Sequence, residues 1–410
     1  MIEAVAAHGY AATTVDEIVG LAGVSTKTLY KHFLSKQECF LCTYDAVMEE
    51  LAGRIGAAWR EGAREDDRTA GLARGLDALA LAIECQPDAV RLALVEVLAA
   101  GPAVLGRIER AQLGFERIIA QGLDHASGRA VPPLLARGIA GGIWYATRAR
   151  LDTGVEQPQQ LAGELLRWML AYDSPAVQLL APRLAAEGWD EAVPLDRKGA
   201  AEGDARTRIL WTAARIAGRE GYEELSVARI LAEAGVSDEA FFALYDNVEE
   251  CFVAALELQS AQALARVVRA GHGAPDSSSA VCTASAALMR HIAADPVFAR
   301  CAFVEIFAAG AAGAACRERL LRRLAELIER AAPGATPLVA EAVVGAVWSI
   351  IHHEVVRDAA HALPYLADHV AYVVLAPSIG AEQAAGAILD ARSGDDERSA
   401  GELAPVRASL

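Results

Sequence analysis

Between Thr26 and His32 the chain places three hydroxyls (Thr26, Thr28, Tyr30), two amines (Lys27, Lys31) and an imidazole (His32) within seven residues. Such groups donate hydrogen bonds and carry positive charge, which suits phosphate oxygens and base edges better than bond-breaking chemistry. Leu29 and Phe33, four apart, predict a helix that turns this pair inward and leaves the polar residues outside. Ser25 stands where such a helix needs a cap, and Gly23 gives the backbone freedom for a tight turn before it. Thr14-Val15-Asp16-Glu17 is a capping box that opens an earlier helix carrying Ile18, Leu21 and Ala22 on one side. Helix, glycine turn, capped helix is the helix-turn-helix plan, whose second helix offers its first turn to the major groove. Lys36 then begins the next helix.

The stretch from Thr14 to Lys36, with Ala22-Gly23-Val24-Ser25-Thr26-Lys27-Thr28-Leu29-Tyr30-Lys31-His32-Phe33 at its centre, closely resembles the DNA-binding domain of the TetR family of bacterial regulators. The resemblance implies that Thr26, Lys27, Thr28 and Lys31 read or flank bases. It implies that Thr14, Tyr30, His32 and Lys36 hold the phosphate backbone, with Ser25 at the helix tip.

The chain also repeats itself. At an offset of 212, Gly9-Tyr10 pairs with Gly221-Tyr222, Gly23-Val24-Ser25 with Gly235-Val236-Ser237, and Glu38-Cys39-Phe40 with Glu250-Cys251-Phe252. Further on, Val95-Glu96-Val97 matches Val304-Glu305-Ile306 at 209, and Gly141 and Trp144 match Gly345 and Trp348 at 204. A period near 200 residues is far above that of solenoids, so each copy is expected to be a whole folded unit. The expected division is a helix-turn-helix domain over 1–46, a helical domain over 47–175, a linker over 176–203 with room for one amphipathic helix, a second helix-turn-helix domain over 204–258, a second helical domain over 259–384, and a disordered tail over 385–410. The first helix of copy one is short, because copy two has Arg206 to Thr212 ahead of the residue aligned with Met1. Either the true start lies upstream or the first domain tolerates a clipped helix.

Copy two keeps the scaffold and loses the chemistry. Ser226, Gly235, Ser237, Phe241 and Tyr245 preserve caps, turn and buried pair, yet Asp238, Glu239, Ala240, Phe242, Ala243, Leu244 and Val248 stand where copy one has Thr26, Lys27, Thr28, Tyr30, Lys31, His32 and Lys36. Carboxylates at a helix tip are repelled by a duplex carrying one negative charge per roughly 1.7 Å. They also favour the positive end of a helix dipole, which is compatible with that loss. Phe242, Leu244 and Val248 are expected to be exposed, available to pack on the linker or a partner.

The elements behind each motif are read as helices from apolar residues recurring at three and four, for example Leu72, Leu76, Leu79 and Ile83. With 54% hydrophobic but only 6% aromatic residues, the apolar content is Ala, Leu and Val, and the fold class is all-α; the resemblance together with the repeat implies two TetR-like units in tandem. The resemblance implies a ligand pocket in each larger domain and a four-helix bundle between subunits, here assigned to 134–151 with 161–172 and to 338–358 with 365–375. The duplication points to an intrachain pseudo-dimer and hence two chains per operator. Trp144, Tyr145, Arg148 and Trp168, with Trp348, His352 and His353 in copy two, are either grips for an amphipathic effector or ordinary core residues.

A net charge of −16 argues against nonspecific coating of nucleic acid and leaves room for a small basic reading head. Seven cysteines, odd in number and mostly in apolar stretches, read as reduced thiols; Cys39 and Cys42 have redox spacing without a second pair nearby. No metal or other cofactor is expected, since His352-His353-Glu354, His361 and His369 fit no standard spacing. No nucleophile elbow or phosphate loop is present, so an enzyme is not expected. Charges interrupt the apolar runs, so no membrane span is expected, and a cytoplasmic protein fits. The function that follows is a ligand-responsive regulator, read as a repressor, that grips a double-stranded DNA operator with its first motif and answers an unknown small-molecule effector. The alternative is a ligand sensor or protein-interaction module that has lost DNA binding.

Overall fold

The computed structural model describes residues 1–154, 157–174, 203–331 and 335–393, and every regular element among them is helical. In the first repeat α1 (Ile2–Ala12), α2 (Val15–Ala22) and α3 (Thr26–His32) lead into α4 (Lys36–Gly62), followed by α5 (Ala70–Cys85), α6 (Pro87–Leu94), α7 (Leu105–Ser127), α8 (Pro133–Thr153) and α9 (Pro158–Leu170). The second repeat runs through α10 (Ala205–Glu220), α11 (Val227–Ala234), α12 (Asp238–Phe242), α13 (Val248–Gly271), α14 (Ser277–Ala294), α15 (Pro296–Phe303), α16 (Gly310–Ala331), α17 (Pro337–Val356) and α18 (Ala367–Ile379). The order of the repeats matches, element by element. The expected linker lies outside the described residues except for Gly203.

Local chemistry sets most of the helix starts. Thr14, Ser25 and Ser35 in the first repeat, and Ser226, Ser237 and Asn247 at the equivalent places in the second, each accept a hydrogen bond from a first-turn amide. Such a cap is worth about 1 kcal/mol. Proline opens α6, α8, α9, α15 and α17, where its missing N–H costs nothing. The expected boundaries at 46/47 and 258/259 fall inside single helices, α4 and α13, so each small domain is joined to its larger one by continuous helix.

Residues 381–393 form a last helix, α19, in which Ala384, Ala385 and Ile388 are buried and Arg392 donates to Asp368 at 2.6 Å. The expectation of a disordered tail from 385 is thereby corrected. The polar run after Arg392 had obscured apolar residues at three-to-four spacing that pack a helix onto the core. The remainder of that expected tail lies outside the described residues.

The two repeats meet where α8 lies along α17. Gly141 and Gly142 of α8 face Gly345 and the Ala342 carbonyl of α17, and a Cβ on Gly345 would stand 2.5 Å from Tyr145 Cβ and 2.8 Å from the Gly141 carbonyl. Hydrogen in place of a side chain lets the two backbones touch. At one end of this contact Tyr172 donates to the Val373 carbonyl at 2.9 Å, and Tyr372 returns a bond to the Tyr172 carbonyl at 3.2 Å. Toward the other, Arg148 pairs with Glu318 with both side chains buried, and Arg150 donates to Glu341 at 3.0 Å.

Three described segments, Val248–Gly271, Pro337–Val356 and Ala360–Ile379, are long and apolar enough to cross a membrane by length and composition. Here α17 turns that apolar character toward α8, α16 and α18, as a helix apolar on all sides does inside a protein.

Gly345→Val is expected to cost about 1–3 kcal/mol by forcing α8 and α17 apart. Gly53→Ala, on α4 with nothing within 4 Å of the added carbon, is expected to gain about 0.5–1 kcal/mol. Denaturant midpoints of the two variants check both signs.

Candidate nucleic-acid interface

The first reading head is built by short-range hydrogen bonds. Thr14 and Glu17 complete the capping box in both directions, the Thr14 amide donating to Glu17 at 2.7 Å and the Glu17 amide to the Thr14 hydroxyl at 3.3 Å. These bonds hold the Glu17 carboxyl below its ordinary range. Gly23 takes the left-handed conformation, φ 64°, that lets the chain turn out of α2. Ser25 Oγ accepts from the Thr28 amide at 3.1 Å and pairs with the Thr28 hydroxyl at 2.9 Å. Leu29 is buried with Ile18, Val19 and Ala4, and Phe33 packs against the same cluster.

That anchoring fixes which residues face outward. Ser25, Thr26, Lys27, Thr28, Lys31 and His32 are all exposed, Tyr30 is half exposed, and Thr14 lies exposed at the start of α2. The hydroxyls and cations on α3 that are expected to meet DNA are thus open to solvent.

Lys36 is placed differently from its expected role. Its ammonium donates to the carbonyls of Tyr10 at 3.0 Å and Thr13 at 2.9 Å, and it lies 4.5 Å from the centre of the Tyr10 ring. Two of its three N–H bonds are therefore engaged in closing the end of α1 onto α4. The signal was faint in the sequence, because the acceptors are backbone oxygens more than twenty residues away.

The second head has the same frame. Ser226 caps α11, Gly235 takes φ 61°, Ser237 caps α12, and Phe241 and Tyr245 are buried. On its outer side Asp238, Glu239, Phe242, Ala243 and Leu244 are exposed. Val248 departs from expectation: at the start of α13 it is half-buried and packs on the core rather than standing free.

Each head is latched to its larger domain by a carboxylate the sequence reading did not single out. Glu96 accepts from the Tyr10 amide at 2.9 Å and Glu305 from the Tyr222 amide at 2.8 Å. The preceding glycines, Gly9 and Gly221, adopt φ 75° and 110°, and a Cβ on Gly9 would come within 3.2 Å of the Glu96 oxygen. A glutamate embedded among apolar residues in both Val95-Glu96-Val97 and Val304-Glu305-Ile306 was the available signal.

The residues singled out for a ligand do not converge. Trp144 lines an apolar cavity of about 770 Å³, open mouth included, between α4, α5, α7 and α8. Its walls include Met48, Leu51, Ile55, Trp59, Phe115 and Thr147. Trp59 Nε1 and Thr147 Oγ1 are buried without a hydrogen-bond partner. The register of the repeats puts Ile351 at the place of Thr147, and the helix equivalent to α4, α13, contains no tryptophan, so the polar pair belongs to the first copy.

Tyr145, Arg148 and Trp348 lie instead where the repeats meet. Tyr145 donates to Glu318 at 3.2 Å, and Arg317 stacks on Trp348 at 4.7 Å. Burial pushes the Tyr145 hydroxyl well up and the Arg317 guanidinium down to about 10. Trp168 is core, edge-on to Tyr172, with the rim of its ring against Gly142. His352 lines a second, more polar cavity together with His353.

Among the described residues no group of three His, Cys, Asp or Glu side chains is arranged to hold a metal. All seven cysteines are free thiols, with Cys39 buried and Cys42 exposed.

Lys36→Met is expected to destabilise the chain by about 1–3 kcal/mol, because two buried-side carbonyls lose a charged donor. A lysine that served phosphates alone would leave the thermal midpoint unchanged, so a melting curve without DNA distinguishes the two.

The description "Bacterial regulatory proteins, tetR family" matches the chain twice, at residues 2–42 and 209–255. These spans cover both capped helix-turn-helix frames. No curated protein matches the chain. The chain carries the N-terminal DNA-binding domain of the TetR family of bacterial regulators twice, in tandem.

Proposed function

We propose that the protein is a ligand-responsive repressor that reads its operator with the first helix-turn-helix alone. The observation that carries this reading is the contrast between two frames of the same build. On α3 the exposed residues are Thr26, Lys27, Thr28, Tyr30, Lys31 and His32; on α12 and the turn after it they are Asp238, Glu239, Phe242, Ala243 and Leu244. In this reading Thr26, Lys27, Thr28 and Lys31 face base edges, while Thr14, Tyr30 and His32 meet phosphates with Ser25 at the tip. Lys36 acts mainly by holding α1 in place, with one N–H left for a phosphate.

The packing of α8 on α17 supports a further part of the proposal, that the two repeats take the place of the family's homodimer as an intrachain pseudo-dimer. Each chain then presents one competent head, and a palindromic operator with half-sites about 34–36 Å apart takes two chains. The apolar cavity behind Trp144 is the proposed effector site. Trp59 Nε1, Thr147 Oγ1 and the Gln112 amide are the polar groups available there to orient a largely apolar ligand. Helix α4 connects this cavity to the reading head, which supports coupling between the two.

Fluorescence anisotropy on DNA from upstream of the gene, titrated with salt, tests the reading. The expected slope reflects a few phosphate contacts, and Lys31→Ala, which removes a base-facing donor, should weaken specific binding by about 1–3 kcal/mol and relax specificity. Lys27→Ala combined with Tyr30→Ala should abolish specific binding, while Glu239→Ala should leave it unchanged. A flat response at low salt overturns the regulator reading in favour of a sensor that no longer binds DNA.

A further inference from the structure

The aligned repeats allow each site between them to be compared with its counterpart. On one side Arg148 pairs with Glu318, and Tyr145 donates to the same carboxylate at 3.2 Å. Tyr145 also packs against Leu321, Ala325 and Val344, so the space in front of Glu318 is filled. In the register of the repeats, Arg148 corresponds to His352, Tyr145 to Ser349, Glu318 to Glu109, Leu321 to Gln112 and Ala325 to Glu116. The counterpart keeps the carboxylate and loses both the guanidinium and the phenol ring.

What those losses leave is a cavity of about 450 Å³, open mouth included, between α7 and α8 of the first repeat and α17 of the second. It is lined by Glu109, Gln112, Glu116, Arg137, Ser349 and His352, with His353 beside them. Arg137 is already held by Glu116 through bonds of 3.1 and 3.0 Å. Glu109, Gln112, Ser349 and His352 have no hydrogen-bond partner among the described residues. Burial, with Arg317 and His353 nearby, pushes the His352 imidazole down to about 4; burial, with Arg137 and Arg357, does the same to His353. Both rings are neutral at pH 7. Of the lining residues Glu116 and Arg137 pair with each other and Glu109 is the carboxylate without an ionic partner among the described residues, while Arg317 and Arg357 lie outside the lining.

We propose that this cavity binds a small organic cation of the alkylguanidinium class, which takes at Glu109 the place that Arg148 takes at Glu318. The molecule carries its own template for the occupant. A planar guanidinium can donate two parallel bonds to a carboxylate, a fit that neither a neutral amide nor a metal ion reproduces. Replacement of arginine by histidine and of tyrosine by serine supplies the room, and Gln112 and Ser349 supply acceptors for the remaining N–H groups. The site adjoins the apolar cavity behind Trp144, sharing Gln112 and Ala140 with it, and does not depend on DNA binding.

The probe is n-propylguanidinium, an arginine side chain cut from its backbone, titrated calorimetrically into the full chain. One site per chain is expected, with n-propylurea, similar in shape but uncharged, binding at least about tenfold more weakly. Glu109→Gln, at an exposed position that leaves the fold alone, should weaken n-propylguanidinium about ten- to hundredfold. His352→Arg should restore the internal pair and abolish binding of n-propylguanidinium. Absence of binding to the unaltered chain, equal binding of the urea, or unchanged affinity in Glu109→Gln each overturns the proposal. If His352→Arg does not fold, the Glu109→Gln titration decides alone.

Discussion

Two helix backbones can touch only where side chains are absent from the line of contact, and α8 and α17 touch because Gly141, Gly142 and Gly345 are there. Everything else in the association of the repeats is arranged around that seam. The buried Arg148–Glu318 pair, the Arg150–Glu341 pair and the reciprocal Tyr172 and Tyr372 hydroxyls all need the helices held at this separation. A buried ion pair contributes little net stability once its desolvation is counted, but it strongly disfavours alignments in which either charge is left without its partner. The glycines thus set the distance, and the polar groups set the register.

The same arrangement explains how one chain holds two unlike halves. In a homodimer each substitution appears twice, on both sides of the axis. Here Arg148 and His352, Tyr145 and Ser349, or Lys27 and Glu239, occupy corresponding positions and differ freely. Division of labour is visible at three levels: one head with donors and one with carboxylates, one large domain with a polar-tipped cavity, and one interface site filled where its counterpart is open.

How much of this was legible in the sequence depends on the reach of the interaction. Caps, glycine turns and the buried pairs around Leu29 and Phe241 are written within four residues of one another, so the two small domains could be read in advance. The exposure of Thr26 to His32 follows from the same local pattern. Lys36 could not be read, because its partners are carbonyls brought near by the fold. Trp144, Tyr145 and Arg148 looked like one group along the chain, yet successive positions on a helix point about 100° apart, and the three side chains serve a cavity wall and an interface. The helix at 381–393 was missed because charged residues after it dominated the reading of the tail.

Helix α4 runs unbroken for 27 residues, a rod of about 40 Å. Its far half, through Leu51, Ile55 and Trp59, forms one wall of the apolar cavity, and its near end carries Lys36 under the reading head. Because the rod has no hinge between these ends, a rotation about its cavity end translates the head in proportion to the arm. A tilt of about 5° over roughly 30 Å moves the head by about 2.5 Å, close to one hydrogen-bond length. The Glu96 latch bears on the same head from the side, so the displacement open to Thr26 and Lys27 is an arc rather than a free swing.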